Sequence, residues 1–274
     1  MKKGLSMLAL VISLVFSGCQ KELNRPIQND AEIAVASGRQ SDFINTFYGP
    51  EIHLGDGKVR SFVTITHEGV PREIGIEITK GLFQNLPTVY TDMHIPLHHK
   101  ATEVTAYDHL EMDWMPNGHP PAYFQLPHFD IHFYMLPEEE QMAIPAPNAT
   151  NTSLASTAAY GRPSPGMLPA DYTVASAAVP MMGRHWLDKF ADVLPPSSQT
   201  FTHQFIYGTF DNKVIFVEPM VTRAFLLSGT DVHKTIKQPT IFDPTGTYYP
   251  TRYNIYTDER TDKTYVTLDQ FVLR

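Results

Sequence analysis

The 274-residue chain predicts a mainly β protein, α+β at most: an antiparallel sandwich or barrel with minor helices and one long Ala/Pro/Ser-rich loop. Three observations carry this. Short runs of β-branched and aromatic residues alternate with polar ones. Gly, Pro, Asn and Asp punctuate those runs, and helical periods are only ever brief. With 42% apolar and 11% aromatic residues, the chain can fill a large core and is too apolar for a disordered polypeptide.

The elements follow in order. Residues 59–66 are β-branched and alternating; a turn at Glu68-Gly69-Val70-Pro71 leads into residues 73–78, a hairpin that puts Ile74, Ile76 and Ile78 on one face. Thr79 predicts the cap of a short helical turn through Leu86, which Pro87 ends. Residues 109–115 alternate as a half-buried strand does, and Pro127 introduces another at 128–135. A second hairpin joins 204–210 to 213–218 at Asp211-Asn212, and a third joins 253–256 to 264–268 through 258–262. Between them, residues 142–183 lack a strong period and read as one long excursion, with a short helix expected at 168–178. The whole of 41–274 reads as a single globular domain.

The N-terminus is a separate matter. Lys2 and Lys3 precede an apolar stretch at 5–16, then Ser17, Gly18 and Cys19. This is the layout of a secretory signal peptide, and residues 15–19 resemble a bacterial lipobox, Phe16 apart. The resemblance implies a signal peptide at 1–18 and a lipidated Cys19 that anchors the protein to an envelope membrane. Residues 20–40, polar and without aromatics, then form a flexible tether, and the domain is extracytoplasmic. The formal charge of −8, with no Lys/Arg cluster beyond the N-terminus, argues against a nucleic-acid partner. One cysteine permits neither an internal disulfide nor a cysteine-based zinc site.

The informative chemistry lies in the run Pro127-His128-Phe129-Asp130-Ile131-His132-Phe133-Tyr134. A strand there puts His128, Asp130 and His132 on one face, with Phe129, Ile131 and Phe133 buried on the other. Imidazole and carboxylate both suit divalent ions. Positions four apart on a strand lie roughly 13 Å apart, so His128 and His132 cannot share one ion without a bulge. Further ligands are His119, His185 and Glu218; Pro219 is expected to end the strand that carries Glu218. The plain alternative is the polar outer face of an edge strand. Two other groups are weaker: Asp92, His94, His98 and His99 read as an exposed loop, and Glu138-Glu139-Glu140 as a solvated run. No Gly-x-Ser-x-Gly elbow and no Gly-rich phosphate loop is present.

Several blocks together resemble a family. They are Arg60-Ser61-Phe62-Val63 with Ile74-Gly75, the run from Asp113 to Pro121, and the run from Pro127 to Tyr134. Met182-Gly183-Arg184-His185-Trp186, with the stretches 205–210 and 216–220, completes the set. In these blocks the chain resembles a poorly characterised extracytoplasmic domain family of bacteria whose named member is a sigma-E-regulated Thermus protein. The resemblance implies location and fold unit, and it links His119, His128, Asp130, His132, His185 and Glu218 in one pattern. It implies no established activity. Two readings stand: an envelope lipoprotein with one divalent ion at this His/carboxylate site, or a structural or ligand-binding β-sandwich without metal. Catalysis, a homo-oligomer and a small-molecule ligand stay open in both.

Overall fold

Alternating β-branched residues build four strands at the start of the described chain: β1 (Ile44–Tyr48), β2 (Ile52–Leu54), β3 (Gly57–Thr66) and β4 (Pro71–Thr79). The structure, a computed structural model, describes residues 44–153 and 159–274; the signal segment, Cys19 and the tether lie outside them. Seven consecutive strands then form a second sheet: β5 (Thr91–Pro96), β6 (His109–Met115), β7 (His128–Tyr134), β8 (Tyr172–Val174), β9 (Arg184–Asp188), β10 (His203–Phe210) and β11 (Lys213–Thr222). The chain finally returns to the first sheet with β12 (Val232–Thr235), β14 (Arg252–Asp258) and β15 (Lys263–Asp269), while β13 (Tyr248–Tyr249) and β16 (Val272–Leu273) form a small ribbon.

The first sheet runs β1-β3-β4-β15-β14-β12, with β2 beside β3; the second runs β5-β6-β7-β11-β10-β9-β8. All strand pairs are antiparallel. One apolar cluster gathers the inward residues of both sheets, Ile74, Ile76, Ile78, Val266 and Leu268 from one, Leu110, Met112, Phe129, Ile131 and Phe133 from the other. Each such side chain contributes about 1.5–3 kcal/mol by leaving water. The result is a sandwich, not a closed barrel.

A second apolar cluster covers the far face of the second sheet. There Tyr134, Phe216, Met220 and Ile206 meet Phe124, Ile144, Tyr160, Val193 and Phe201 from the connections. Arg184 ties the long connection down: its Nε donates to the Tyr160 carbonyl at 2.7 Å and its Nη2 to the Thr152 carbonyl at 3.0 Å. The first sheet instead turns a polar face outward, where Glu77 accepts from Arg60 and Lys263 at 2.6 and 2.7 Å.

The three hairpins form where alternation places them, and Asp211 and Asn212 both have positive φ (46° and 66°), as a two-residue hairpin turn of matching twist needs. Other expectations are corrected. The turn after Thr79 is a 3-10 turn of four residues, Lys80–Phe83, and the Thr79 hydroxyl bonds Lys58 rather than capping it. Residues 168–178 hold no helix; Tyr172–Val174 pairs with β9, because a strand edge outweighs the local Ala content. Pro219 does not end β11, which continues to Thr222. Its missing N–H is absorbed where the β7–β11 pairing skips residues 218 and 219 before resuming at Met220. Asp92 and His94 lie on β5, not in a loop; His98 caps α1 (His99–Val104) by accepting from the Lys100 N–H. Glu138–Glu140 are exposed and open α2 (Glu138–Met142); α3 (Arg223–Ser228) follows β11.

Candidate metal centre

β7 is not an edge strand: it lies between β6 and β11, and all seven of its residues are buried. Phe129, Ile131 and Phe133 point into the sandwich core, which commits His128, Asp130 and His132 to the opposite face. That face is covered by the connections, so three ionisable side chains are held away from water.

Register extends the polar row across the sheet. On β6, Asp113 stands opposite Asp130 and Glu111 opposite His132. On β11, Val217 lies opposite Phe133 and Met220 opposite Asp130, which sets Glu218 across from His132. β10 then carries Gly208, opposite Phe216 on one side and opposite His185 of β9 on the other.

The six sequence-predicted residues converge on this face, but as two triads rather than one site: His119, His128 and Asp130, and His132, His185 and Glu218. Within each, the ligand atoms lie within 4.8 Å of one another. His128 and His132 belong to different triads, since β7 carries no bulge at this point. His185 and Trp186 lie on β9, directly after the long connection, and Trp186 faces the sandwich core.

In the first triad His128 Nε2 is 3.0 Å from Asp130 Oδ1, and His119 Nε2 is 3.3 Å from Asp130 Oδ2. The other ring nitrogens are tied to carbonyls: His128 Nδ1 donates to Leu126 at 2.6 Å, and His119 Nδ1 to Pro120 at 2.7 Å. A carbonyl can only accept, so both Nδ1 atoms carry hydrogen, and the Nε2 atoms are left to face the carboxylate. Such tethering of the second nitrogen is what orients a metal-binding imidazole. A tetrahedral ion with bonds of about 2.0–2.1 Å holds its ligand atoms about 3.3 Å apart; each imidazole lies near that distance from a different oxygen of Asp130.

In the second triad, His132 Nε2 and His185 Nε2 each stand 3.7 Å from Glu218 Oε2. On the far side of His132, Nδ1 is 3.7 Å from Asp113 Oδ2, while Tyr90 donates its hydroxyl to Asp113 Oδ1 at 3.0 Å. The Phe216 ring packs edge-on against both imidazoles. Each triad therefore offers two imidazoles and one carboxylate, a donor set for zinc or another first-row divalent ion that leaves coordination positions for water.

The electrostatics of the triads differ. Burial works against an ionised Asp130, yet the adjacent imidazoles of His128 and His119 outweigh it and hold the carboxyl below its usual range. Burial likewise opposes a charged His119, and Asp130 overcomes it, raising that imidazole. In the second triad burial dominates: His132 is pushed down to about 4 and His185 to about 3. Glu218 is pushed well up, first by burial and then by the negative charges of Asp130 and Asp113. Asp113 rises in the same way, through burial and its acidic neighbours Glu111 and Asp130.

Seven buried side-chain atoms among the described residues lack a hydrogen-bond partner: Asp113 Oδ2, His128 Nε2, Asp130 Oδ1, both ring nitrogens of His132, His185 Nδ1 and Glu218 Oε2. All seven lie on this one face. Leaving such atoms unpaired costs about 1–3 kcal/mol each, more when charged. Close spacing without hydrogen-bond alignment, as between His128 Nε2 and Asp130 Oδ1, is what atoms aimed at a common third point show. Asp113 and Tyr90 stand beside the second triad and were not among the residues singled out in the sequence. Alternation already placed Asp113 on the polar side of its strand; only the β6–β7 register sets it beside Asp130 and His132. His94, near Glu138 at 3.4 Å, and His98 and His99 join neither triad.

Comparison with curated proteins and with solved structures finds no match. A family match covers β4, β5 and nearly all of β6, and it includes Tyr90 and Asp113 but none of the six ligand candidates. Residues 66–114, a segment of the β domain, match the family described as TTHB210-like: Hypothetical protein TTHB210.

Proposed function

We propose that this protein is a cell-envelope lipoprotein, anchored through Cys19, whose β domain binds a divalent metal ion at a His/carboxylate site. The ion is held by His132, His185 and Glu218, with His119, His128 and Asp130 beside them on the same face. One observation carries the reading: every buried unpartnered side-chain atom among the described residues lies on this face. A divalent cation would accept the lone pairs of His132 and His185 and offset the negative charge of an ionised Glu218. The donor chemistry favours zinc or a neighbouring first-row ion over magnesium or calcium, which prefer oxygen alone. The same observation weighs against a purely structural sandwich, in which this buried face would be apolar or internally hydrogen-bonded. An ion here would polarise a bound water or carbonyl, so hydrolysis is the reaction class that the site could support.

The test is elemental analysis of the full chain, purified in detergent without chelator. A first-row divalent metal at stoichiometric level, lost in His185→Ala, is the expected result. A metal-free protein that also fails to take up zinc or cobalt overturns the proposal.

A further inference from the structure

We infer that His119, His128 and Asp130 form a second, separate metal site, open to solvent, whose ion keeps a coordination position for a small exogenous ligand. The inference rests on the metal reading above and extends it to a different ion with a different exposure. The two triads differ most in access. In the second, the side chains of His132, His185 and Glu218 are 1%, 11% and 2% exposed. In the first, His128 and Asp130 are equally closed, but the His119 side chain is 27% exposed. The first triad is thus a buried pair of ligands capped by a third that faces water.

The cap is built, not incidental. Gly118 precedes His119 at φ +65°, and a Cβ at that position would fall 2.2 Å from the Phe124 carbonyl oxygen. Only glycine therefore lets the segment after β6 fold this tightly onto the Ala122–Phe124 turn. The His119 N–H then donates to the Phe124 carbonyl at 3.3 Å, and its ring packs edge-on against Phe124. With Nδ1 held by Pro120, rotation is limited and Nε2 stays aimed at Asp130. Beneath it, His128 Nε2 and Asp130 Oδ1 are buried and unpartnered.

Asp130 and His132 belong to different triads and are two residues apart on one strand face, a backbone repeat of roughly 6.6 Å. The triads share no ligand residue, so no carboxylate bridges them as in a two-metal centre. The sites are neighbours that load independently. The buried ion lies where exchange is slow, and the outer ion lies where water or a small anion can replace a ligand. The ligand class that fits is a compact anionic or neutral oxygen or nitrogen donor.

The experiment is cobalt(II) titration of the metal-stripped full chain in detergent, followed by its visible spectrum, with azide as the probe of an open position. The wild-type chain should take up two equivalents, and azide should change part of the spectrum. His119→Ala should take up one equivalent and lose the azide response; His119→Asp, which restores a donor, should recover both. His185→Ala should take up one equivalent and keep the azide response. Uptake of a single equivalent, lost in His185→Ala and unaffected by His119→Ala, overturns the second site and leaves the proposed function standing. A single equivalent lost in both variants overturns it too, since the six residues then form one site. Two equivalents with no azide response overturn the open position. No uptake at all removes both proposals.

Discussion

The Phe216 ring occupies the space that a side chain at residue 208 would need: a Cβ on Gly208 would fall 2.0 Å from Phe216 Cε1. This close approach lets the ring lean over β10 and reach both His132 and His185, at 4.8 and 5.1 Å between ring centroids. Gly208→Ala should therefore push Phe216 toward the imidazoles. Overpacking of this kind costs about 1–3 kcal/mol. Denaturant unfolding should show a lower midpoint, with weaker metal retention at the His132–His185–Glu218 triad. A variant with the wild-type midpoint would show that the ring can move aside freely.

Asp113 should act on metal affinity without touching the ion. Its Oδ2 faces His132 Nδ1 at 3.7 Å and its Oδ1 is fixed by Tyr90. Orienting carboxylates of this kind are worth about 10–100-fold in affinity. Competition with a chromophoric chelator should find Asp113→Asn weakened within that range and Tyr90→Phe weakened less. Equal affinities in all three proteins would remove Asp113 from the site's machinery.

How much of this was legible in the sequence depends on distance along the chain. The two-residue period of residues 128–134 is local, so it gave the aromatic face and the polar face directly. Ile74, Ile76 and Ile78 were legible in the same way, and all three are core. Whether β7 was an edge or a central strand depended on β11 arriving from nearly ninety positions away. The sequence therefore left the polar face open between a site and an outer surface, and the face is buried. The division into two triads was hidden for a similar reason. It depends on where the loop carrying His119 folds back, and on Gly208 setting His185 beside Phe216. Residues 168–178 mislead because Ala content is a weak preference, overridden by the pairing of Tyr172–Val174 with β9.

Gly118→Ala tests the outer triad through its backbone. The left-handed conformation and the Phe124 carbonyl both oppose a Cβ there. Affinity at the His119–His128–Asp130 triad should fall on the order of 10-fold, while the buried triad keeps its ion. Cobalt titration resolves the two, and an unchanged outer affinity would mean that the loop tolerates the change.

His203 should give the fold a pH-dependent stability away from the two triads. Burial, aided by the Lys234 charge, pushes its imidazole from the ordinary 6.5 down to about 4. Between those values the unfolded chain binds a proton that the folded chain does not, so stability falls as pH drops through that window. Above about pH 6.5 His203 contributes no loss. Melting curves of metal-free protein should show His203→Gln with a shallower decline than wild type between pH 6.5 and 4. Parallel curves would assign the decline to other groups.

Cys19→Ser tests the anchor. If the lipobox reading is right, the variant should move from the membrane fraction to the soluble envelope fraction on ultracentrifugation. Unchanged sedimentation with membranes would reject lipidation at Cys19.

The order of strands in the first sheet has a consequence for how the molecule is made. β4 takes its partner from β15, almost two hundred residues later, while the whole second sheet is encoded in between. A ribosome therefore releases the layer that bears both triads before it releases the strands that complete the opposite layer. Until residue 269 emerges, β4 presents an unpaired edge next to Ile74, Ile76 and Ile78, the kind of surface that chaperones hold and proteases cut. A stop codon shortly before Lys263 would thus do more harm than its position suggests: it would remove β15, a central strand between β4 and β14, rather than trim a tail.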